Sequence, residues 1–347
     1  MIQEMREDPK AMKQNPSLIQ LQDPRFEILK NPTPLQRLER TECKLDHSGL
    51  YVKRDDMMEV AIGGNKLRSL EFWVGEALRE AADVLLVAGG PTSNQCRLTA
   101  AAAAIAGLDC IVFHNAISDP TSERDSFLNK VLGASVRFLG AIDETQRAEE
   151  VTKAANQLRQ DGRRPYIVGN AVIGGLGYVR AAEELLLQSR ASGADIRHVI
   201  LPGSMGPTEA GFIFGNHLLG NPFHVHLISV EYGQAELAAR IDKIFRGLAA
   251  HTGLGGAKFD DAHLHIHMDY LGAGYGKPSA ACEKAIMEFA RTEGFFLEHT
   301  YTGKTFAGFL DLIQGGVIPK GEAACVIHTG GVPALFSQFE LFQSLSH

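Results

Sequence analysis

Two kinds of run alternate along this chain. Short stretches such as Val84-Leu85-Leu86-Val87-Ala88 are apolar at every position and rich in branched residues, as strands covered on both faces are. Longer stretches rich in Ala, Leu and Glu follow them. In one of these, Leu67, Leu70, Phe72, Trp73, Ala77 and Leu78 recur at helical spacing. The pattern predicts strands at 84–88, 109–113, 135–139, 164–168, 198–201, 226–230 and 324–328. It predicts helices from Ser93 through Ala100–Ala104, from Glu144 to Gln160, and from Thr208. Short strands separated by longer helices are the mark of βα units around a parallel sheet. No internal repeat or low-complexity segment interrupts the series.

Charge and composition narrow the function. With 34 Lys and Arg against 41 Asp and Glu, the formal charge is -7, which argues against a nucleic-acid or anionic-membrane partner. Cys43, Cys96, Cys110, Cys282 and Cys325 are scattered with no metal-site or redox spacing, so reduced thiols in a cytoplasmic setting are expected. The start of the chain lacks the apolar core of a signal peptide, and no stretch approaches the ~20 apolar residues of a membrane span.

The chemistry concentrates in turns that follow strands, where open α/β sheets bind ligands. Gly63-Gly64-Asn65-Lys66-Leu67-Arg68 puts a lysine at the start of a helical pattern. The positive end of the helix dipole disfavours the ammonium form there, and imine chemistry needs a neutral amine. The glycines permit close approach of a flat ligand, although a tight turn with a solvated lysine would read the same way. Ser93-Asn94-Gln95 opens a helix after Gly89-Gly90-Pro91, suited to a carboxylate or to a plain N-cap. Gly203-Ser204-Met205-Gly206-Pro207-Thr208 enters another helix. Such a loop can wrap a phosphate, but it lacks the P-loop lysine and the G-x-G-x-x-G spacing. His328-Thr329-Gly330-Gly331 ends a strand, and Tyr275 and Tyr301 sit in glycine-rich loops. His263, His265 and His267 would share one strand face. A solvated strand side accounts for them more simply than zinc, and no metal is expected.

Taken in order, these motifs resemble the D-cysteine desulfhydrase and 1-aminocyclopropane-1-carboxylate deaminase group, from about Asn31 to about Phe336. The resemblance implies a tryptophan-synthase-β-like (fold type II) enzyme: α/β, with two open, twisted, mostly parallel sheets flanked by helices. It implies pyridoxal 5′-phosphate as cofactor, a small amino-acid substrate and a homodimer. Lys66 matches the lysine that joins the cofactor and later moves the Cα proton. Ser93, Asn94 and Gln95 match the segment that grips the substrate carboxylate, with Asn94 near the cofactor's phenolic oxygen. Gly203, Ser204, Met205, Gly206 and Thr208 fall where the family binds the phosphate. Tyr275 and Tyr301 match the active-site tyrosines, and Thr329 the residue near the pyridine nitrogen. The expected organisation is a large domain of residues 1–68 and 174–347, with 1–25 an extension, and a smaller inserted domain of 69–173.

Two positions speak to the branch. Ring-opening deaminases resemble one another in a glutamate after the second tyrosine and a leucine before the Gly-Gly pair; here the residues are Thr302 and Thr329. An uncharged hydroxyl beside the pyridine nitrogen suits β-elimination, with early loss of a leaving group. Gln95 points the other way, toward the deaminases. Pro207 removes one amide from the phosphate loop, and the segment 168–177 looks shorter than its counterpart. The expected activity is β-elimination and deamination of a small amino acid. The alternatives are ring opening, a biosynthetic reaction on an unusual amino acid, or a binding protein that has kept only the fold.

Overall fold

The computed structural model describes residues 18–254, 259 and 262–340. Most of the expected N-terminal extension, and the Asp260 and Asp261 that precede the histidine run, lie outside the described residues. The chain begins with β1 (Leu35–Arg37), α1 (Glu39–Leu45), β2 (Leu50–Arg54) and α2 (Lys66–Arg79). Then follow β3 (Val84–Gly89), α3 (Asn94–Ala106), β4 (Asp109–His114), α4 (Pro120–Val131), β5 (Ser135–Phe138), α5 (Glu144–Gln160) and β6 (Pro165–Ile167). The second half runs α6 (Ala171–Ser192), β7 (Ile196–Gly203), α7 (Pro207–Leu218), β8 (His224–Ser229) and α8 (Gln234–His251). It finishes with β9 (Leu264–His267), α9 (Ala280–Thr292), α10 (Thr302–Gln314), β10 (Ala323–His328) and α11 (Val332–Ser337).

Two sheets result. The larger has six strands in the order β1-β2-β10-β7-β8-β9, and the smaller has four in the order β5-β4-β3-β6. Every pairing is parallel except β1 with β2. Helices cover the sheets, which is why their strands are apolar at consecutive positions. One continuous core links the two sheets: Leu85, Val87 and Val112 of the smaller join Val199, Leu201 and Leu227 of the larger through α2, α6 and α7. Helix α2 is the bridge. Trp73 is buried and donates from Nε1 to the Asn170 carbonyl at 2.8 Å. Gly177 of α6 lies so close to α2 that an added Cβ would stand 2.3 Å from the Arg68 backbone.

The first turn of α2 is held by a buried ionic cluster. Arg68 donates to both carboxylate oxygens of Asp55 at 2.8 and 2.9 Å and to Glu184 at 2.9 Å. Tyr178 donates to Asp55 at 2.6 Å, and Lys53 of β2 pairs with Glu184. Burial alone would raise the Asp55 and Glu184 carboxyls, but Arg68 and Lys53 outweigh it and hold both below the usual range. The segment Lys53–Arg54 reads as polar surface in the sequence; the cluster is what lets β2 carry a buried lysine.

Candidate active site

A cavity of about 600 Å³ lies where the C-terminal ends of both sheets meet. It is lined from the turns after β2 (Asn65, Lys66), β3 (Gly89 and Ser93 to Gln95), β7 (Ser204 to Gly206), β8 (Glu231) and β10 (Thr329 to Gly331). Strand-end turns of this kind are the expected ligand site of open α/β sheets.

Lys66 is the first residue of α2. Its turn is fixed by backbone contact with the turn after β10. Asn65 N–H donates to the Thr329 carbonyl at 2.9 Å, and Gly64 and Gly330 both have positive φ. A Cβ on Gly330 would stand 2.7 Å from the Gly64 Cα, so only glycine lets the two loops touch. Burial lowers the Lys66 pKa, and the carboxylates of Glu209 and Glu231 oppose that fall. The sequence points to the helix dipole as the cause of a neutral amine; in the structure desolvation comes first.

Opposite, Ser93 caps α3, its Oγ accepting from Cys96 N at 3.3 Å. The first amides of a helix have no partner inside it, so those of Asn94 and Gln95 remain at the cavity wall. Gly89 makes room for this cap, since a Cβ there would meet Ser93 Oγ at 2.7 Å. Arg97, one turn on, is buried and donates to Asn94 Oδ1 at 2.9 Å and to the Ala61 carbonyl. With its oxygen thus engaged, the Asn94 amide has only its NH₂ to offer the cavity.

Across the site, the Tyr275 and Tyr301 hydroxyls are hydrogen-bonded to each other, with their rings edge to face at 5.8 Å. Burial raises the pKa of both, Tyr301 well above the ordinary value. Each is therefore a phenol that donates rather than a phenolate. Buried Lys304, just beyond Tyr301, ties down the other loop by donating to the carbonyls of Leu271 and Gly274 at 2.8 Å each. Glu298 lines the cavity beside them and accepts from the amides of Thr300 at 2.7 Å, Tyr301 at 2.8 Å and Thr302 at 2.9 Å. Burial raises its carboxyl pKa.

The cavity thus gathers Lys66, Ser93, Asn94, Gln95, Ser204, Met205, Gly206, Thr208, Tyr275, Tyr301 and Thr329. Two residues expected there do not line it. Gly203 ends β7 against Leu237. Thr302 is fully buried, its Oγ1 accepting from Glu298 N at 2.9 Å. The first turn of α10 rotates it behind Glu298, so the acid at this corner comes from four residues earlier in the chain. Glu209, Glu231, Glu298 and Arg147 also line the cavity; no motif signals them. The histidines form a ladder elsewhere. His198 Nδ1 lies 3.0 Å from His226 Nε2, and His226 Nδ1 lies 3.0 Å from His267 Nε2. His198 and His226 are buried, so the strand side is not simply solvated. Burial and the neighbouring rings push His226 down to about 2. Among the described residues, no group of three or more His, Cys, Asp or Glu is placed to hold a metal ion.

Two open, mostly parallel sheets flanked by helices, with a cavity at their strand ends, define an α/β enzyme fold. Residues 27–330 match the family of pyridoxal-phosphate-dependent enzymes, and the chain belongs to that family. It is 34% identical over 325 residues to a D-cysteine desulfhydrase of Salmonella choleraesuis (strain SC-B67), covering 90% of this chain and 96% of that one. The identity is 35% over the same length, with the same coverage, to the D-cysteine desulfhydrase of Salmonella typhi. The structure superposes on that of an ACC deaminase homologue with TM-score 0.82 and 31% identity, covering 93% of this chain and 97% of the other. A threonine deaminase isoform 2 from Solanum lycopersicum, at 17% identity and TM-score 0.63, shares the fold. No helix among the described residues is long and apolar enough to cross a membrane.

The family's cofactor fits the residues present. Lys66 offers a desolvated amine for its aldehyde, Gly330 and Gly331 line the cavity with it, and the loop before α7 brings its backbone and the Thr208 hydroxyl to the wall for its phosphate. One feature of that loop departs from the fit: a carboxylate, Glu209, is already bonded to its amides.

Proposed function

We propose that this enzyme catalyses β-elimination and deamination of a small β-substituted amino acid, giving a keto acid and ammonia. The observation that carries the reading is Lys66: an amine with lowered pKa on the cavity wall, facing helix-terminal amides on one side and a phenol pair on the other. When bound, the pyridoxal group supplies an electron sink next to the substrate Cα.

The chain's own residues do the rest. The amides of Asn94 and Gln95, at the positive end of α3, bind the substrate carboxylate. That contact aims the Cα–H bond at Lys66 Nζ, which accepts the proton as a general base. Asn94, whose Oδ1 is held by Arg97, would offer its NH₂ to the phenolic oxygen of the cofactor. Tyr275 and Tyr301 keep their protons at neutral pH, so one of them can protonate the departing β-substituent, a thiol or sulfonate. A cytoplasmic homodimer, implied by the resemblance, completes the reading.

A second reading, ring opening of 1-aminocyclopropane-1-carboxylate, is favoured by Gln95 and by the Glu298 carboxyl on the cavity wall. Thr302 does not line the cavity, whereas Thr329, the other residue that weighs against ring opening, does. A substrate panel separates the two. β-Substituted alanines, D-cysteine among them, should give pyruvate and ammonia. 2-Oxobutanoate formed from the cyclopropane acid alone would establish the second reading, and no keto acid from any amino acid would refute both.

A further inference from the structure

The loop between β7 and α7 is shaped to hold an anion, yet it holds one of its own. Glu209 is buried, and its Oε1 accepts from Ser204 N at 2.6 Å and from Gly206 N at 3.1 Å. Pro207, at the first helical position, has no amide to add. A second carboxylate, Glu231, accepts from the Ser204 hydroxyl, and the Thr208 hydroxyl accepts from Asn65 Nδ2 at 2.9 Å. Every polar group of the cradle named here therefore has a partner within the chain. Glu209 stands at the third helical position and reaches back to the N-cap amide, as capping-box glutamates do. Unlike an ordinary cap, it also takes the Ser204 amide and lines the cavity that contains Lys66.

We propose that Glu209 fills the anion seat of this enzyme, so that a pyridoxal ligand can place its phosphate there only by displacing that carboxylate. The proposal rests on the reading that the cavity holds a pyridoxal group at Lys66. A dianionic phosphate brought to this loop meets the Glu209 and Glu231 carboxylates, with Lys66 a cation that acts on Glu209. Like charges at contact distance oppose binding. Burial raises the Glu209 carboxyl pKa, and the amides of the seat oppose that rise, as groups that stabilise an anion do. The phosphate then adds little to affinity here, and Glu209 sets how little.

The test compares pyridoxal 5′-phosphate, pyridoxal and inorganic phosphate on the full chain, in wild type, Glu209→Gln and Glu209→Ser. Glutamine caps a helix as glutamate does, so Glu209→Gln removes the charge and keeps the cap, and Glu209→Ser empties the seat. Binding of the two pyridoxal forms is read by absorbance titration, and inorganic phosphate by calorimetry on cofactor-free protein. Wild type should bind the phosphorylated form no more than about tenfold better than pyridoxal. Both variants should raise that ratio by about tenfold or more and gain measurable affinity for inorganic phosphate. A wild-type ratio near a thousandfold, left unchanged or lowered in both variants, would overturn the proposal while the pyridoxal reading stands. Failure of pyridoxal to bind wild type in a Lys66-dependent way would overturn that reading, and the proposal with it.

Discussion

Arg97 shows how one side chain can set a site it does not enter. It is a buried cation with no carboxylate partner among the described residues, spread over the Ala61 and Gly63 carbonyls and Asn94 Oδ1. Burial pushes its pKa down to about 10, so it stays charged at neutral pH. Its work is to fix which end of the Asn94 amide faces the cavity. Arg97→Met should weaken binding of pyridoxal 5′-phosphate by about tenfold, ~1.4 kcal/mol, by freeing that amide to rotate. A titration showing unchanged affinity in a folded variant would refute this role. At this scale the sequence was only partly legible. Lys66, Ser93, Asn94 and the tyrosines were marked by turn chemistry around them. Arg97, Glu209 and Glu298 were not: Arg97 and Glu209 reach the site or its supports in directions set by their helices, and Glu298 reaches it from the irregular segment before α10. Thr302 shows the converse: it adjoins Tyr301, but it is buried and does not line the cavity.

At the level of elements, the site depends on the contact between the turn entering α2 and the turn leaving β10. Gly330 has φ +97° and sits against the Gly64 Cα. Gly330→Ala should therefore strain both loops, lowering stability by about 1–3 kcal/mol and displacing Lys66 from its position. Thermal melts with and without cofactor check this; an unchanged melting temperature would contradict it. The strands and helices themselves were largely readable, since β3, β4, β7 and β10 each contain a run of consecutive apolar residues and α5 spans Glu144–Gln160 as its pattern predicts. β2 was not readable. Its Lys53 looks like surface, and its burial depends on Glu184, Gln188 and the Thr33 carbonyl, which receive its ammonium.

Across the whole molecule, the cluster of Lys53, Asp55, Arg68 and Glu184 ties β2, α2 and α6 together beneath the site. Asp55 and Glu184 have lower pKa values folded than unfolded. The unfolded chain therefore takes up more protons as pH falls. The cluster's contribution is complete above the ordinary carboxylate range of about 4 and is lost as pH drops toward the depressed values. Urea melts should show stability falling below about pH 4. Arg68→Met should cost about 3–5 kcal/mol at neutral pH, because it strands buried carboxylates. It should also flatten the acid dependence. A pH profile of the same slope in the variant would contradict the assignment. The pairing of the two sheets was legible as a series of βα units. That they share one core through α2 was not, because the contact depends on close helix approach at Gly177.

The central claim is that Lys66 Nζ carries the pyridoxal group. Reduction of the cofactor-loaded protein with borohydride, followed by peptide mapping, tests it most directly. The account predicts a stable pyridoxyl adduct on the peptide containing Lys66, absent from Lys66→Ala. An adduct on another lysine, or none on protein that retains bound cofactor, would contradict it.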